Sequence, residues 1–185
     1  MAFVYIVRCN FNRPDKEEAW NAWYSGPKIK QMLAKPYFRT CQRFRLAFGT
    51  GRNYLTLWTL ESPEAFQTPQ YTSDWGFFEW APYISDLSRD LFDGNEAQHD
   101  AFKVPSAGAL HVLSFDGLSE AEAKAAIPRQ AGRDMLWLPV TGLDRHTPMI
   151  GMRVLPAAPH SCAYRLQARQ GQEAIYTPIC PRYEA

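Results

Sequence analysis

One stretch, residues 23–38, constrains the fold more than any other part of the sequence. It runs Trp-Tyr-Ser-Gly-Pro-Lys-Ile-Lys-Gln-Met-Leu-Ala-Lys-Pro-Tyr-Phe, and it ends one helical segment, opens a second and leads into a strand. Segments typical of strands precede it at 3–10 and follow it at 37–60. The resulting order of strand, helix, strand, strand indicates half of a ferredoxin-like α+β unit.

Local signals place the ends of these helical segments. Asn12 is predicted to cap the first one, since Pro14 and several acidic residues follow it. Ser25-Gly26-Pro27 is predicted to interrupt the helix, with Ser25 capping the second segment. Pro36 then ends the helical stretch.

The rest of the chain repeats this order of elements. Residues 94–107 are polar and small and are interpreted as a linker. A Ser119–Glu122 capping box predicts a helix in the second half. The sequence therefore predicts two tandem ferredoxin-like halves, residues 1–93 and 108–185, with eight to ten strands whose sheets could close a barrel. Strands of the second half are predicted at 110–115, 135–140, 149–155, 163–168 and 174–179.

Charge and hydropathy exclude several classes of function. Lys plus Arg number 20 and Asp plus Glu 19, so no strong field attracts nucleic acid or an anionic membrane. No run of 18 apolar residues and no signal sequence is visible. We therefore expect a soluble, cytoplasmic protein.

The sequence is rich in aromatic residues, which make up 14% of the chain and include six tryptophans. Large flat side chains either fill a core or line a pocket for a flat apolar ligand, and both interpretations stay open. The four cysteines, Cys9, Cys41, Cys162 and Cys180, have no CxxC spacing, and only His160 lies near one of them. We expect no zinc or other metal site, and Cys9 and Cys41 should be buried free thiols.

The segment at 23–38 resembles the dimeric α+β barrel superfamily, in particular its EthD-like members. The resemblance lies in Trp23-Tyr24, in Met32-Leu33 and in Pro36-Tyr37-Phe38, which stands where those proteins have Pro-Gly-Phe. Residues 54–66 look like the third strand and following helix of the family. The resemblance covers roughly residues 3–92 and implies a ferredoxin-like dimeric α/β barrel, a homodimer and a small apolar pocket on the sheet.

The resemblance also implies a range of chemistry. The family includes monooxygenases that need no cofactor, lactone isomerases, polyketide cyclases and, among relatives with tandem halves, haem enzymes. This sequence departs from it at Lys28, where the family often has a histidine. A lysine acts as an acid–base group near neutral pH only if burial or neighbouring charges lower its pKa.

Histidines and arginines supply the remaining candidates for chemistry. His111 lies in an apolar strand, where it is either a hydrogen-bonded core residue or a general base. Arg43 and Arg45 share one strand face, which is either solvated or anchors a carboxylate or enolate oxygen. His99 is expected to be solvated, and His146 and His160 stay open. If the chain binds haem, His111 or His146 would be the axial ligand.

These observations predict a pocket between the sheet of the first half and the helical segments at 20–33 and 74–83. We expect His111 as base, Arg45 as anchor and Tyr24 as hydrogen-bond donor, with no cofactor. The sequence favours a small enzyme, a lyase, isomerase, cyclase or oxygenase, that acts on an aromatic or polyketide-like molecule. The alternatives are a binding or carrier protein and a haem-binding barrel. The expected substrate-binding residues are Trp23, Lys28, Tyr54, Trp58, Trp75 and Trp80.

Overall fold

A computed structural model describes residues 2–94, 99–127, 135–159 and 171–185. This part of the chain forms nine β-strands and four α-helices. The strands are β1 (Phe3–Phe11), β2 (Phe38–Gly49), β3 (Tyr54–Leu60), β4 (Ile84–Asp93), β5 (Ala109–Ser114), β6 (Leu136–Leu143), β7 (Met149–Leu155), β8 (Gln172–Pro178) and β9 (Tyr183–Glu184). The helices are α1 (Glu17–Trp23), α2 (Ile29–Leu33), α3 (Pro69–Thr72) and α4 (Glu120–Ala126). Turns of 3-10 helix lie at Pro14–Lys16, Pro63–Gln67 and Phe78–Tyr83, and a π-helical turn lies at Tyr24–Lys28.

Eight of the strands close an antiparallel barrel. The first four are ordered β4-β1-β3-β2 and the next four β8-β5-β7-β6, which is the same ferredoxin-like order twice. Pairing of β4 with β6 and of β2 with β8 joins the two groups edge to edge. The expected ferredoxin-like α+β barrel is therefore confirmed, and it closes within one chain. The boundaries drawn at 93 and 108 stay a prediction.

The barrel interior is filled by alternate apolar residues of all eight strands. Such alternation is expected of strands whose two faces meet different surroundings. Phe102 and Val104, which fall in the expected linker, also pack into this cluster. The Gln42 amide on β2 fixes them, because it bonds to both the N–H and the carbonyl of Val104. Part of the expected linker therefore belongs to the core, which the polar composition of residues 94–107 did not indicate.

The outer face of the first half carries a second core. Outward residues of β1 and β3 pack against α1, the π-helical turn and α2, whereas α4 covers part of the second half. This explains why β3 has large side chains on both faces, since one face fills the barrel and the other meets the helices. Cys9 and Cys41 are buried free thiols, as expected, and Cys162 lies outside the described residues.

Two helix-capping predictions are wrong. The first helical turn begins at Pro14 with no side-chain cap, and Asn12 instead accepts a hydrogen bond from Ser85. The helix also continues through residues 25–27 as a π-helical turn, so Ser25 caps nothing and its hydroxyl accepts a hydrogen bond from Arg43. The capping box of Ser119 and Glu122 is confirmed.

The remaining predicted strands match the structure where it describes them, whereas the helical segment predicted at 74–83 is a 3-10 helix that begins only at Phe78. The strand predicted at 163–168 lies outside the described residues. No helix in the described part of the chain is long and apolar enough to cross a membrane.

Candidate functional site

A narrow cavity lies between the outer face of the first half and its helices. Tyr5, Val7 and Trp58 form its floor, and these neighbours share one face of the sheet because Tyr5 pairs with Trp58 across β1 and β3. The cavity has a volume of about 30 Å³, which is close to the share of one water molecule in the liquid. The residues that line it are Tyr5, Val7, Tyr24, Lys28, Met32, Trp58, Tyr71, Trp75, Gly76, Phe77 and Arg89.

The π-helical turn at Tyr24–Lys28 supplies the helical wall of the cavity. Pro27 lies inside it and has no backbone N–H to donate, so a regular α-helical hydrogen bond is lost there. A π-helical turn accommodates this loss, and such turns are frequent at functional sites. Tyr24 and Lys28, at its two ends, are both buried.

Lys28 brings an amine into this aromatic cavity. Its Nζ donates to Oε1 of Gln31 at 3.1 Å and lies 4.7 Å from the centre of the Phe78 ring. Burial lowers the pKa of Lys28 to about 8, with Lys35 acting in the same direction and Asp74 opposing it. About a tenth of the amine is therefore uncharged at pH 7, far more than for an ordinary lysine.

The carboxylate nearest to this amine is already engaged. Asp74 accepts a hydrogen bond from Gln31 Nε2 at 2.5 Å, and its Oδ2 lies 3.6 Å from Nζ of Lys35. Lys35 in turn donates to the carbonyl of Gln70. Gln31 thus lies between Lys28 and Asp74. The Lys28 amine contacts the neutral amide of Gln31 and the ring of Phe78.

Two phenols and a guanidinium also line the cavity. The phenols of Tyr5 and Tyr71 lie close enough together for each to influence the pKa of the other, and Arg89 acts on both. Burial raises the pKa of both phenols, so both stay protonated and can donate hydrogen bonds. Arg89 is held by Asp144 at 3.0 Å between NH2 and Oδ1.

The rim of the cavity is exposed and aromatic. Trp75 and Phe78 are the exposed large apolar side chains among the described residues, at 42% and 50% exposure. Trp75 stacks on Tyr71 with ring centres 6.0 Å apart, and Arg89 lies 4.4 Å from the Trp75 ring. Gly76 and Phe78 both have positive φ values, +103° and +49°, so the backbone turns sharply on each side of Phe77.

The structure brings some of the predicted site residues together. Tyr24, Lys28, Trp58 and Trp75 line the cavity. Burial raises the pKa of Tyr24 despite nearby Arg43, so its phenol stays protonated, and its role as hydrogen-bond donor stays a prediction.

Other predicted residues of the first half do not line the cavity. Trp23 packs against Trp80 with ring centres 6.1 Å apart. The Tyr54 hydroxyl donates to Glu17 at 2.6 Å. The exposed Arg45 lies 3.5 Å from Glu17, away from the cavity lining.

His111 lies on the other half of the barrel, on the outer face of β5. Its Nε2 is 2.8 Å from Oε1 of Glu173, and Nε of Arg153 donates to its Nδ1 at 3.0 Å. Burial, together with Arg153, lowers the pKa of His111, although Glu173 opposes this shift. The role of His111 as base stays a prediction, and it would concern a site other than this cavity.

Of the two histidines considered as axial haem ligands, His111 is already engaged by the protein, whereas the role of His146 stays a prediction. Both ring nitrogens of His111 contact protein side chains, which leaves neither directed at an iron. His146 donates its backbone N–H to Asp90, and His99 bonds through Nδ1 to Thr59. His160 lies outside the described residues. In the described part of the chain, no three His, Cys, Asp or Glu side chains are grouped to hold a metal ion.

Sequence reasoning missed Tyr5, Tyr71 and Arg89. Tyr5 alternates with inward residues on β1, so its outward direction could have been read from the strand pattern. Arg89 lies next to Val7 across β1 and β4, and that register follows from the whole fold.

A larger, more open cleft of about 720 Å³ lies at one end of the barrel. Residues 103–106 and 178–182 form its sides, with three prolines among them. Its buried guanidinium, Arg182, is paired with Asp100 at 3.0 Å. This cleft is roomier, but its lining residues include no amine or phenol that is both buried and directed at a ligand.

Comparisons with known proteins agree on the fold. No known family matches the sequence, and no curated protein matches it significantly. An anthrone oxidase-like protein aligns with a TM-score of 0.61 over 100% of this chain and 93% of its own, at 9% identity. A candidate monooxygenase from Lactobacillus acidophilus NCFM gives 0.55 over 100% of both chains at 8% identity. A candidate chlorite dismutase gives 0.51 over 96% of this chain and 94% of its own, at 10% identity. At these identities the likeness concerns structure alone: the chain has the ferredoxin-like α+β barrel fold, and these neighbours belong to the dimeric α+β barrel superfamily.

Proposed function

We propose that this protein is an enzyme that removes a proton from the carbon next to the carbonyl of an aromatic or polyketide-like ketone, without a cofactor. One observation carries the proposal: the partly uncharged amine of Lys28 lines a cavity with aromatic walls. An amine with a pKa of about 8 is a better-matched base near neutral pH than an ordinary lysine.

The cavity provides for both products of this step. The Lys28 amine takes up the proton and becomes an ammonium group, while the substrate becomes an enolate. Protonated phenols of Tyr5 and Tyr71, together with Arg89, are donors for the enolate oxygen. Donors arranged before the reaction stabilise developing negative charge strongly in a site that excludes water.

The enolate can react further in several ways. Reprotonation at another position gives an isomerase, attack on a second carbonyl gives a cyclase, and reaction with O₂ gives an oxygenase. The names of two structural neighbours, an anthrone oxidase-like protein and a candidate monooxygenase, support oxygenation as the first of these to test.

The test is hydrogen–deuterium exchange at the methylene carbon of anthrone, an aromatic ketone, followed by NMR in D₂O at constant pD. We expect the protein to accelerate exchange, and Lys28→Met to remove about 10²–10⁴-fold of that acceleration. Lys30→Met is the matched control, because Lys30 is exposed two residues further along the same helix. Exchange that is catalysed equally by the Lys28→Met variant would overturn the proposal.

A carrier protein would give a different result. It would bind anthrone, detected by quenching of tryptophan fluorescence, yet leave the exchange rate at its value in buffer. That outcome would remove the catalytic role while keeping the cavity as a binding site.

A further inference from the structure

The Lys28 amine has a second reaction open to it besides taking up a proton. We propose that Lys28 forms a covalent imine with aryl aldehydes and ketones bound in the cavity. This inference rests on the proposed function, since it uses the same cavity, and it narrows the ligand class to aromatic carbonyl compounds. The amine nitrogen adds to the carbonyl carbon, and loss of one water molecule leaves a C=N bond between lysine and ligand.

The surroundings of the amine favour addition to a carbonyl. A lysine nitrogen is a nucleophile only when uncharged and free of a tight ion pair. Lys28 Nζ contacts the Gln31 amide oxygen and the Phe78 ring, whereas Asp74 is held by Gln31 and Lys35. The nitrogen is therefore not committed to a carboxylate in the described structure.

Lys35 is a second buried lysine, and its amine is held by a carbonyl and a carboxylate. It is as buried as Lys28, at 7% against 6% exposure. Its Nζ, however, donates to the Gln70 carbonyl and lies 3.6 Å from Asp74. We therefore expect little imine formation at Lys35.

The cavity also supplies what the later steps require. Loss of water from the first addition product needs a proton donor, and the phenols of Tyr5 and Tyr71 stay protonated in the neutral range. Trp58 and Phe77 give the cavity aromatic walls, and a ligand packed against them leaves little room for the water that would hydrolyse the imine. The same walls select a flat aryl group next to the reacting carbonyl.

The experiment traps the imine by reduction. The protein is incubated at pH 7 with 2-hydroxybenzaldehyde and sodium cyanoborohydride, whose hydride converts the C=N bond to a stable secondary amine. Mass spectrometry of peptides then gives the ratio of labelling at Lys28 to labelling at the exposed Lys30. We expect a ratio on the order of 10², because a lysine of ordinary pKa is about 300-fold less uncharged at pH 7.

Two matched comparisons separate the cavity from general amine reactivity. Propanal, which has no aryl group, should give a lower ratio of Lys28 to Lys30 than 2-hydroxybenzaldehyde does. The same labelling in concentrated urea should bring the ratio to about one, since both lysines are then solvated. A ratio near one in the folded protein, or an equal ratio for both aldehydes, would overturn the inference.

The outcome is distinguishable from failure of the proposed function. Deuterium exchange that depends on Lys28, with no trapped adduct, would overturn the imine and leave the proton-transfer role standing. A trapped adduct with no catalysed exchange would uphold the imine and overturn the proposed function. Lys28→Arg keeps a cation but no nucleophile, so it should abolish labelling at this position and leave labelling of Lys30 unchanged.

Discussion

Burial of Lys28 makes its amine more reactive near neutral pH and also lowers the stability of the fold, because the charged ammonium form loses hydration. The ammonium form loses hydration in the cavity, and its nearest carboxylate, Asp74, is shared with Gln31 and Lys35. The pKa of about 8 expresses this balance. Both the rate and the stability of the protein should therefore depend on pH through this one group.

Catalysed exchange should rise with pH through about 8 and level off above it, because the uncharged amine is the active form. Rates measured between pH 6 and 10, divided by the rates in buffer alone, give this profile. A profile that falls through pH 8 would indicate that the ammonium form is required.

Stability should change in the same pH range for a related reason. The pKa of Lys28 is lower in the folded chain than its ordinary 10.5, so the unfolded chain binds more protons between pH 8 and 10.5. Stability rises with pH across that window, and at pH 7 the buried ammonium is destabilising. Lys28→Met should raise the melting temperature at pH 7, with a gain that shrinks toward pH 10.5. A variant that melts below the wild type at pH 7 contradicts this account.

Among the elements, the rim segment, residues 73–83, decides access to the cavity. A cavity of about 30 Å³ does not admit an aromatic ring, so we expect Trp75 and Phe78 to move when a ligand enters. Gly76 at φ +103° provides the backbone freedom for such a movement.

Trp75→Ala should open the cavity and raise the association rate of anthrone severalfold, measured by stopped-flow fluorescence. Trp75 is half-exposed, so its truncation should leave the melting temperature nearly unchanged. The control is Trp80→Ala, which removes a neighbouring aromatic residue that does not line the cavity. Equal association rates for both variants would argue against the rim as the gate.

The helix that carries Lys28 is fixed to the sheet by Arg43. Its guanidinium is fully buried, lies 4.1 Å from the Tyr24 ring centre, and donates to Ser25 Oγ at 2.8 Å and Asn21 Oδ1 at 2.9 Å. Arg43→Lys keeps the charge but loses the planar fork, so we expect a loss of about 1–3 kcal/mol in the free energy of unfolding. Arg45→Lys, on the same strand face but exposed, should change little in the same urea titration. Equal losses would contradict a specific role for Arg43.

The local pattern of these elements could be predicted from sequence because it depends on neighbours along the chain. Strand β3 and the Ser119 capping box follow directly from such patterns. The π-helical turn could not, because Ser25-Gly26-Pro27 also fits a helix break. The buried Arg43 favours the continuous helix, because its guanidinium donates both to Asn21 and to Ser25 four residues further along.

For the whole molecule, closure of the barrel depends on contacts between the two groups of strands. Asp116 follows β5 and bridges Arg8 of β1 and Arg52 of the β2–β3 hairpin, at 3.0 and 2.6 Å. Arg8 also pairs with the fully buried Asp90 at 3.2 Å. These charges lie far apart in sequence, so only the closed barrel brings them together.

Asp116→Asn should lower the free energy of unfolding by about 3 kcal/mol, since it leaves two buried guanidiniums with reduced pairing. Burial alone would raise the pKa of Asp116, but Arg8 and Arg52 hold it below its ordinary value. Asp116 therefore stabilises the fold at pH values above its pKa in the unfolded chain. This stabilisation is lost as the pH falls through the lower pKa that Asp116 has in the folded chain. Urea titrations at pH 7 and pH 3 measure this, with Asp15→Asn as the exposed control. An Asp116→Asn variant as stable as the wild type would contradict the account.

The sequence predicted the fold of the molecule better than its site. Repeated element order was sufficient for the barrel, whereas the site depends on which outward side chains the sheet register places together. The roles proposed for His111 and Arg45 stay predictions, and the cavity combines Lys28, which the sequence singled out, with Tyr5 and Arg89, which it did not. The homodimer stays a prediction, and in this structure it would associate through outer surfaces, since one chain already closes the barrel.

The central claim, that Lys28 offers an uncharged amine to the cavity near neutral pH, can be tested without knowing the substrate. Protein labelled with ¹³C and ¹⁵N in lysine is titrated by NMR from pH 6 to 12, and the Cε and Nζ signals of Lys28 are assigned with the Lys28→Arg variant. We expect a midpoint of about 8 for Lys28, well below the ordinary lysine value of 10.5. A Lys28 midpoint at that ordinary value would contradict the claim.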